Sequence, residues 1–157
     1  MSRLSKLIIS IVLCEAAGLA STPFTVSVVK TWYQTLDRPF FSPPNWIFGP
    51  VWTILYLMMG ISFYLIWSKG VKDKKAKEAI YIFLLQLFLN FLWSILFFGL
   101  KSPPAALIEI IILWFAILVT IIKFKPISKP AAYLLIPYLL WVSFAAILNF
   151  SIVILNP

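Results

Sequence analysis

The stretch AALIEIIILWFAILVTIIKF, Ala105–Phe124, decides the fold class. It carries one acid, Glu109, and no base until Lys123 near its end. A helix needs about 20 mostly apolar residues to cross the hydrocarbon core of a bilayer. In lipid every backbone N–H and C=O must be bonded within the protein, so an unbroken run of this length reads as an α-helix. A barrel strand would be shorter and would alternate apolar with polar residues.

Four more segments on either side have the same character, giving spans at roughly Leu7–Val28, Trp46–Trp67, Ile80–Leu100, Ala105–Phe124 and Ala131–Leu155. The 157 residues are 62% hydrophobic and 11% charged, against about 45–50% and about 25% in soluble domains. The expected fold is therefore an all-α membrane protein, a bundle of five transmembrane helices in a single domain over residues 1–157. Arg3 and Lys6 ahead of Leu7–Leu13 resemble a signal peptide, but apolar character resumes through Ala20–Val29, so the first span is read as uncleaved.

The connections carry the helix breakers and the charge. Pro39, Pro43 and Pro44 interrupt the first, Lys69–Glu78 forms a charged second, Ser102-Pro103-Pro104 a tight third turn, and Lys123–Pro130 the fourth. Ten basic residues fall on one side: Arg3, Lys6, Lys69, Lys72, Lys74, Lys75, Lys77, Lys123, Lys125 and Lys129. Only Lys30, Arg38 and Lys101 fall on the other. Basic loops stay in the cytoplasm, which puts the amino terminus there and the carboxyl terminus outside. This also accounts for the net charge of +8 with no nucleic-acid partner.

Several chemistries are excluded outright. The chain has no His and one cysteine, Cys14, so a Cys/His metal site, a triad with a His base and haem ligation through His are absent. Glu15 and Glu109 are the two acids within spans, with no Lys or Arg deep in a span to pair with them. Such carboxyls are functional candidates, though a proton or cation pathway would want more of them.

Residues three or four apart share a helix face. In the second span Trp52, Tyr56, Met59 and Phe63 align; in the third Gln86, Asn90, Trp93 and Phe97; in the fifth Tyr138, Trp141, Ala145 and Asn149. Amides in hydrocarbon turn inward to find partners, so Gln86, Asn90 and Asn149 are expected to face the bundle. These stripes are either interhelical glue with packed aromatics or the walls of an aromatic pocket. The first loop, with Trp32, Tyr33, Phe40, Phe41 and Trp46, is either a headgroup belt or an ordered cover over that pocket.

The second span also carries a recognisable motif. PPNWIFGPVWTILYLMMG (Pro43–Gly60) closely resembles the signature of the TspO/MBR family, the tryptophan-rich sensory proteins and mitochondrial translocator proteins, or peripheral-type benzodiazepine receptors. WYQTL (Trp32–Leu36), QLFLNFLW (Gln86–Trp93) with Phe97-Phe98-Gly99, and PYLLWVSFAAILN (Pro137–Asn149) resemble further family segments in order. The likeness covers nearly the whole chain.

The resemblance implies a five-helix bundle, commonly a homodimer, with a pocket beneath the first loop. It implies a membrane receptor for tetrapyrroles such as protoporphyrin IX, with no cofactor or metal required. The ligand-binding positions it points to are Trp52, Tyr56, Asn90, Trp141, Ala145 and Leu148, to which the first loop and the aromatic stripes add Trp32, Trp46, Trp93 and Tyr138. Lys30 and Arg38 are the basic side chains available to pair with propionates. Light- and oxygen-dependent porphyrin breakdown involving Trp52 and Trp141 is the enzymatic alternative, and transport of porphyrin or another small amphiphile the third. The implied location is a bacterial or archaeal cell membrane. The chain departs from the family at Phe41, where a Trp is usual, and after Asn149, where the basic residue of the mitochondrial cholesterol motif is missing.

Overall fold

Ser2 accepts a hydrogen bond from the Ser5 amide at 3.1 Å and starts α1, Arg3–Lys30. That oxygen satisfies one of the N–H groups a helix start leaves without an internal partner. The same device recurs along the chain in a computed structural model that describes residues 1–157. Asp73 accepts from the Lys75 amide at 2.9 Å and opens α3, Lys74–Ser94. Ser102 caps α4, Pro103–Phe124, and Ser128 caps α5, Lys129–Leu134. Two helices lack such a cap: α2, Asn45–Trp67, follows Pro44, and α6, Ile136–Leu155, continues α5 beyond Leu135.

Five helices are long and apolar enough to cross a membrane, with α5 and α6 together forming the fifth, and no strand is present. The step at Leu135 has a plain cause. Pro137 has no N–H to offer the Tyr133 carbonyl, and its ring crowds that turn.

Three boundaries differ from the sequence reading. Lys74–Glu78 is helix rather than loop, because the Asp73 cap starts α3 before its apolar part begins. Pro103 and Pro104 are the first two residues of α4, not a turn, since a first-turn proline sacrifices no hydrogen bond. The turn is made instead by Lys101, at φ +52°, after a π-helical turn over Ile95–Gly99. The fourth connection shortens to Lys125–Ser128.

Helix α1 packs on α2 and α3, α3 on α4, and α4 on α6, while the backbone of α2 lies against α5 and meets α6 through large side chains. Two glycines allow the tight α1–α2 approach. A Cβ on Gly60 would stand 2.7 Å from the Ile11 Cα, and one on Gly18 would stand 2.4 Å from Tyr56 Cε2. At the end bearing most of the lysines, Lys6 sits 5.6 Å over the Trp67 ring and Lys123 pairs with Glu78 at 3.3 Å. The adjoining half of the bundle is solid. Phe63 stacks on Phe83 with centroids 5.0 Å apart, and Phe83 on Phe124 at 5.8 Å.

Outward faces carry Ile8, Val12, Phe88, Ile112, Phe115, Ile147 and Ile154, all exposed. An apolar surface this continuous would drive aggregation in water and is the expected contact with lipid tails. The solid half leaves the opposite half, beneath the Thr31–Pro44 loop, as the place where the bundle can open.

Candidate functional site

The floor of that half is a chain of buried polar groups. The Tyr56 hydroxyl donates to Asn90 Oδ1, Asn90 Nδ2 donates to the Tyr138 hydroxyl at 2.8 Å, and Tyr138 donates to Gln86 Oε1 at 2.7 Å. Asn90, Gln86 and Tyr138 are 4%, 1% and 0% exposed, so the inward turn expected of the amides is observed. Each bond is worth about 1 kcal/mol net, but removing one partner strands the others at about 1–3 kcal/mol. The network fixes α2, α3 and α6 relative to one another at this depth.

Above it lies a cavity of about 300 Å³. Trp52, Tyr56, Asn90, Trp93, Trp141, Ala145 and Leu148 line it, bringing together seven of the ten positions picked from the sequence. Tyr138 stands behind the wall, 6.3 Å from the Trp52 ring, and positions Asn90. Trp32 and Trp46 do not line the cavity. Trp32 packs edge-on against Phe97 at 5.8 Å, and Trp46 is 73% exposed at the start of α2.

The walls are held by their own contacts. Trp93 Nε1 donates to Asn149 Oδ1 at 3.1 Å, and Asn149 Nδ2 donates to the Pro103 carbonyl at 3.0 Å, tying α3 to α6 and the start of α4. Trp52 tilts over Tyr56 at 5.5 Å, and Phe48 meets Trp141 edge-on at 6.2 Å across from α2 to α6. The π turn over Ile95–Gly99 contributes both Phe97 and Phe98 to the lining. Such turns insert an extra residue and recur at functional sites.

The first loop closes the top. Its 3-10 turn, Trp32–Thr35, drops Tyr33 into the lining at 3% exposure, against Phe97 and Phe98 at 6.2 and 5.9 Å. The Arg38 guanidinium lies 4.9 Å over the Tyr33 ring and reaches Asn45 Oδ1 at 3.5 Å. Arg38 therefore sits at the rim, while Lys30 ends α1, exposed and next to Val29, which lines the cavity. Asn156 fastens the loop from the carboxyl terminus. Its Oδ1 accepts from the Asp37 amide at 3.0 Å and its Nδ2 donates to the Asp37 carbonyl at 2.8 Å. The loop is thus an ordered cover.

One wall was not read from the aromatic stripes. Helix α1 contributes Glu15, Gly18, Leu19, Ser21, Thr22 and Thr25 to the lining. The signal was present as small and polar residues three or four apart in an otherwise apolar span. The Ser21 and Thr25 hydroxyls bond back to the carbonyls of Gly18 and Thr22 at 2.7 and 3.2 Å, which makes them tolerable at this depth.

The four exposed residues in the lining are Leu19 and Thr22 of α1 and Gly49 and Thr53 of α2. The cavity therefore reaches the surface between these two helices. Thr53 lies two turns into α2, about 12 Å from its start at 1.5 Å per residue. The opening faces the side of the bundle rather than its end. No cluster of His, Cys, Asp or Glu could hold a metal ion.

Comparison with known proteins agrees with this architecture. Residues 10–155 match the model of the TspO/MBR family. The chain is 49% identical over 152 residues to the tryptophan-rich protein TspO of Archaeoglobus fulgidus, covering 96% of this chain and 97% of that one. A protein of the same name from Chlorobaculum tepidum is 46% identical over 145 residues, 92% of each chain. The human translocator protein is 37% identical over 122 residues, 77% of this chain and 72% of its own.

Proposed function

The chain belongs to the TspO/MBR family, and from that membership we propose that it is a membrane receptor for a planar tetrapyrrole, bound in the cavity between α1, α2, α3 and α6. The observation that carries this reading is the convergence of Trp52, Trp93 and Trp141 on one cavity. Flat aromatic side chains bury a flat conjugated ligand well and favour offset or edge-on contact with it. Trp52 and Trp141 supply opposite walls, and Tyr56, Asn90, Ala145 and Leu148 line the space between. Arg38, over the Tyr33 ring, and Lys30, next to the lining residue Val29, are the basic side chains available to pair with propionates. The ten-to-three bias of basic residues supports an orientation with the cover and the carboxyl terminus outside the cytoplasm.

The test is titration of detergent-purified protein with protoporphyrin IX, followed by quenching of tryptophan emission. Saturable quenching is expected. The Trp52→Ala, Trp141→Ala double variant should bind at least about tenfold more weakly, a loss of about 1.4 kcal/mol. Unchanged affinity in that variant would remove the ligand from this cavity. Illuminating the same complexes in air separates binding from breakdown, which requires porphyrin loss that depends on Trp52 or Trp141.

The sideways opening between α1 and α2 favours translocation as a second reading, because an amphiphile could pass between bilayer and cavity without crossing the cover. Proteoliposomes that bind porphyrin yet show no protein-dependent flux would leave the receptor reading alone.

A further inference from the structure

Glu15 is the only charged side chain among the cavity-lining residues, and no Lys or Arg accompanies it. It is partly exposed, and neither an ion pair nor a hydrogen bond within the chain engages it. The nearest basic residue along α1, Lys6, is nine positions away, about 13 Å along the axis, and is turned onto Trp67 at the far end. Glu15 sits one turn below Gly18, the residue lying against the Tyr56 ring, so its carboxyl belongs to the same face that meets the aromatic walls.

An ionised carboxylate at this depth is costly without a partner, and the chain supplies none. Trp52, Trp93, Trp141 and Tyr56 line the same space. Aromatic faces attract cations, by about 0.5–1 kcal/mol when exposed and about 2 or more when water is excluded. One carboxylate beneath several indoles is the combination that recognises an organic cation with an apolar body. We infer that this cavity holds a cation subsite at Glu15 and takes lipophilic organic cations, in particular aromatic amphiphiles carrying a quaternary or protonated nitrogen. The inference goes beyond tetrapyrrole binding and does not require it. It concerns the floor and the α1 wall, whereas Arg38, the group suited to an anionic substituent, lies at the rim.

The sideways opening supports the assignment. Leu19 and Thr22 follow Glu15 on α1 by one and two turns and are exposed at the gap. A cation whose apolar body is dissolved in the bilayer can therefore bring its charged head to Glu15 from the side.

The test compares two probes of the same shape. One is (9-anthrylmethyl)trimethylammonium; the other is 9-neopentylanthracene, in which carbon replaces the charged nitrogen. Binding is read as saturable energy transfer from tryptophan to anthracene, with the protein in zwitterionic nanodiscs and empty nanodiscs as the partition control. The cation should bind at least about tenfold more tightly than its neutral twin. In Glu15→Gln, which keeps the shape and loses no partner, the preference should fall at least about fivefold, the remainder coming from the aromatic walls, while the neutral probe binds as before. Glu109→Gln, outside the lining, should leave the preference intact. Equal affinity of the two probes for the native protein, or a preference undiminished in Glu15→Gln, overturns the subsite. Protoporphyrin titration of the same samples reports separately on the tetrapyrrole reading.

Discussion

Gly18 of α1 lies flat against the ring of Tyr56, so close that a Cβ would come within 2.4 Å of Cε2. The missing side chain is what lets Tyr56 lie under the cavity with its hydroxyl on Asn90. Gly18→Ala is expected to tilt the ring and break that bond, weakening any ligand bound at the floor. Gly60→Ala meets backbone instead, at the Ile11 Cα, and a helix axis yields less readily than a ring. It should destabilise more, within the range of about 1–3 kcal/mol for overpacking. Thermal unfolding in detergent, run alongside ligand titration, separates the two: the first variant loses mainly binding, the second mainly stability.

Tyr138→Phe removes a hydroxyl that both accepts from Asn90 and donates to Gln86. Two buried amide groups are left without that partner, at about 1–3 kcal/mol each. Tyr56→Phe strands only Asn90 Oδ1, and at the cavity edge, where water or a ligand can replace the lost group. Tyr138→Phe should therefore unfold at the lower temperature of the two. The reverse order would mean that Tyr56 is the keystone.

Asn156→Ala should free the cover without disturbing the spans. Both bonds between Asn156 and Asp37 would go, while the side-chain contacts of Tyr33 remain. Hydrogen exchange should accelerate at Asp37 and its neighbours, with amides inside α2, α3 and α6 unchanged. Uniformly faster exchange would show that the carboxyl terminus holds the bundle and not the loop.

Thr53→Trp should narrow the gap between α1 and α2. If ligands use that gap, their association and dissociation rates should both fall while the equilibrium constant moves much less, as stopped-flow quenching would record. An unchanged association rate would place the entrance at the cover instead.

The parts of the structure legible in the sequence are those set by lipid as solvent. Long apolar runs specify spans, and amides such as Gln86, Asn90 and Asn149 must turn inward, so the five helices and the polar floor follow from hydropathy and spacing alone. Helix caps were less visible. Asp73 lies inside a charged segment that reads as loop by composition, yet its side chain starts α3 there. Aromaticity also misled in one respect. Trp32, Trp46 and Trp52 are one residue type within one stretch, but only Trp52 faces the cavity; Trp32 is taken up by Phe97 and Trp46 by the surface. The α1 wall escaped because its residues are small, and small residues read equally well as packing. The position of Tyr56 over Gly18 and the burial of Ser10 and Cys14 show which face of α1 looks inward.

An entrance on the side of the bundle changes what affinity means for this protein. A compound that enters there would meet Leu19, Thr22, Gly49 and Thr53 at the concentration it reaches in hydrocarbon, not in water. Its apparent strength is then the product of partitioning and recognition. Compounds of equal fit would rank by oil solubility, and a fixed total dose would weaken as lipid is added and dilutes it. Occupancy would follow the mole fraction of ligand in the bilayer, so the amount of lipid around the protein would help to set how much of it is bound.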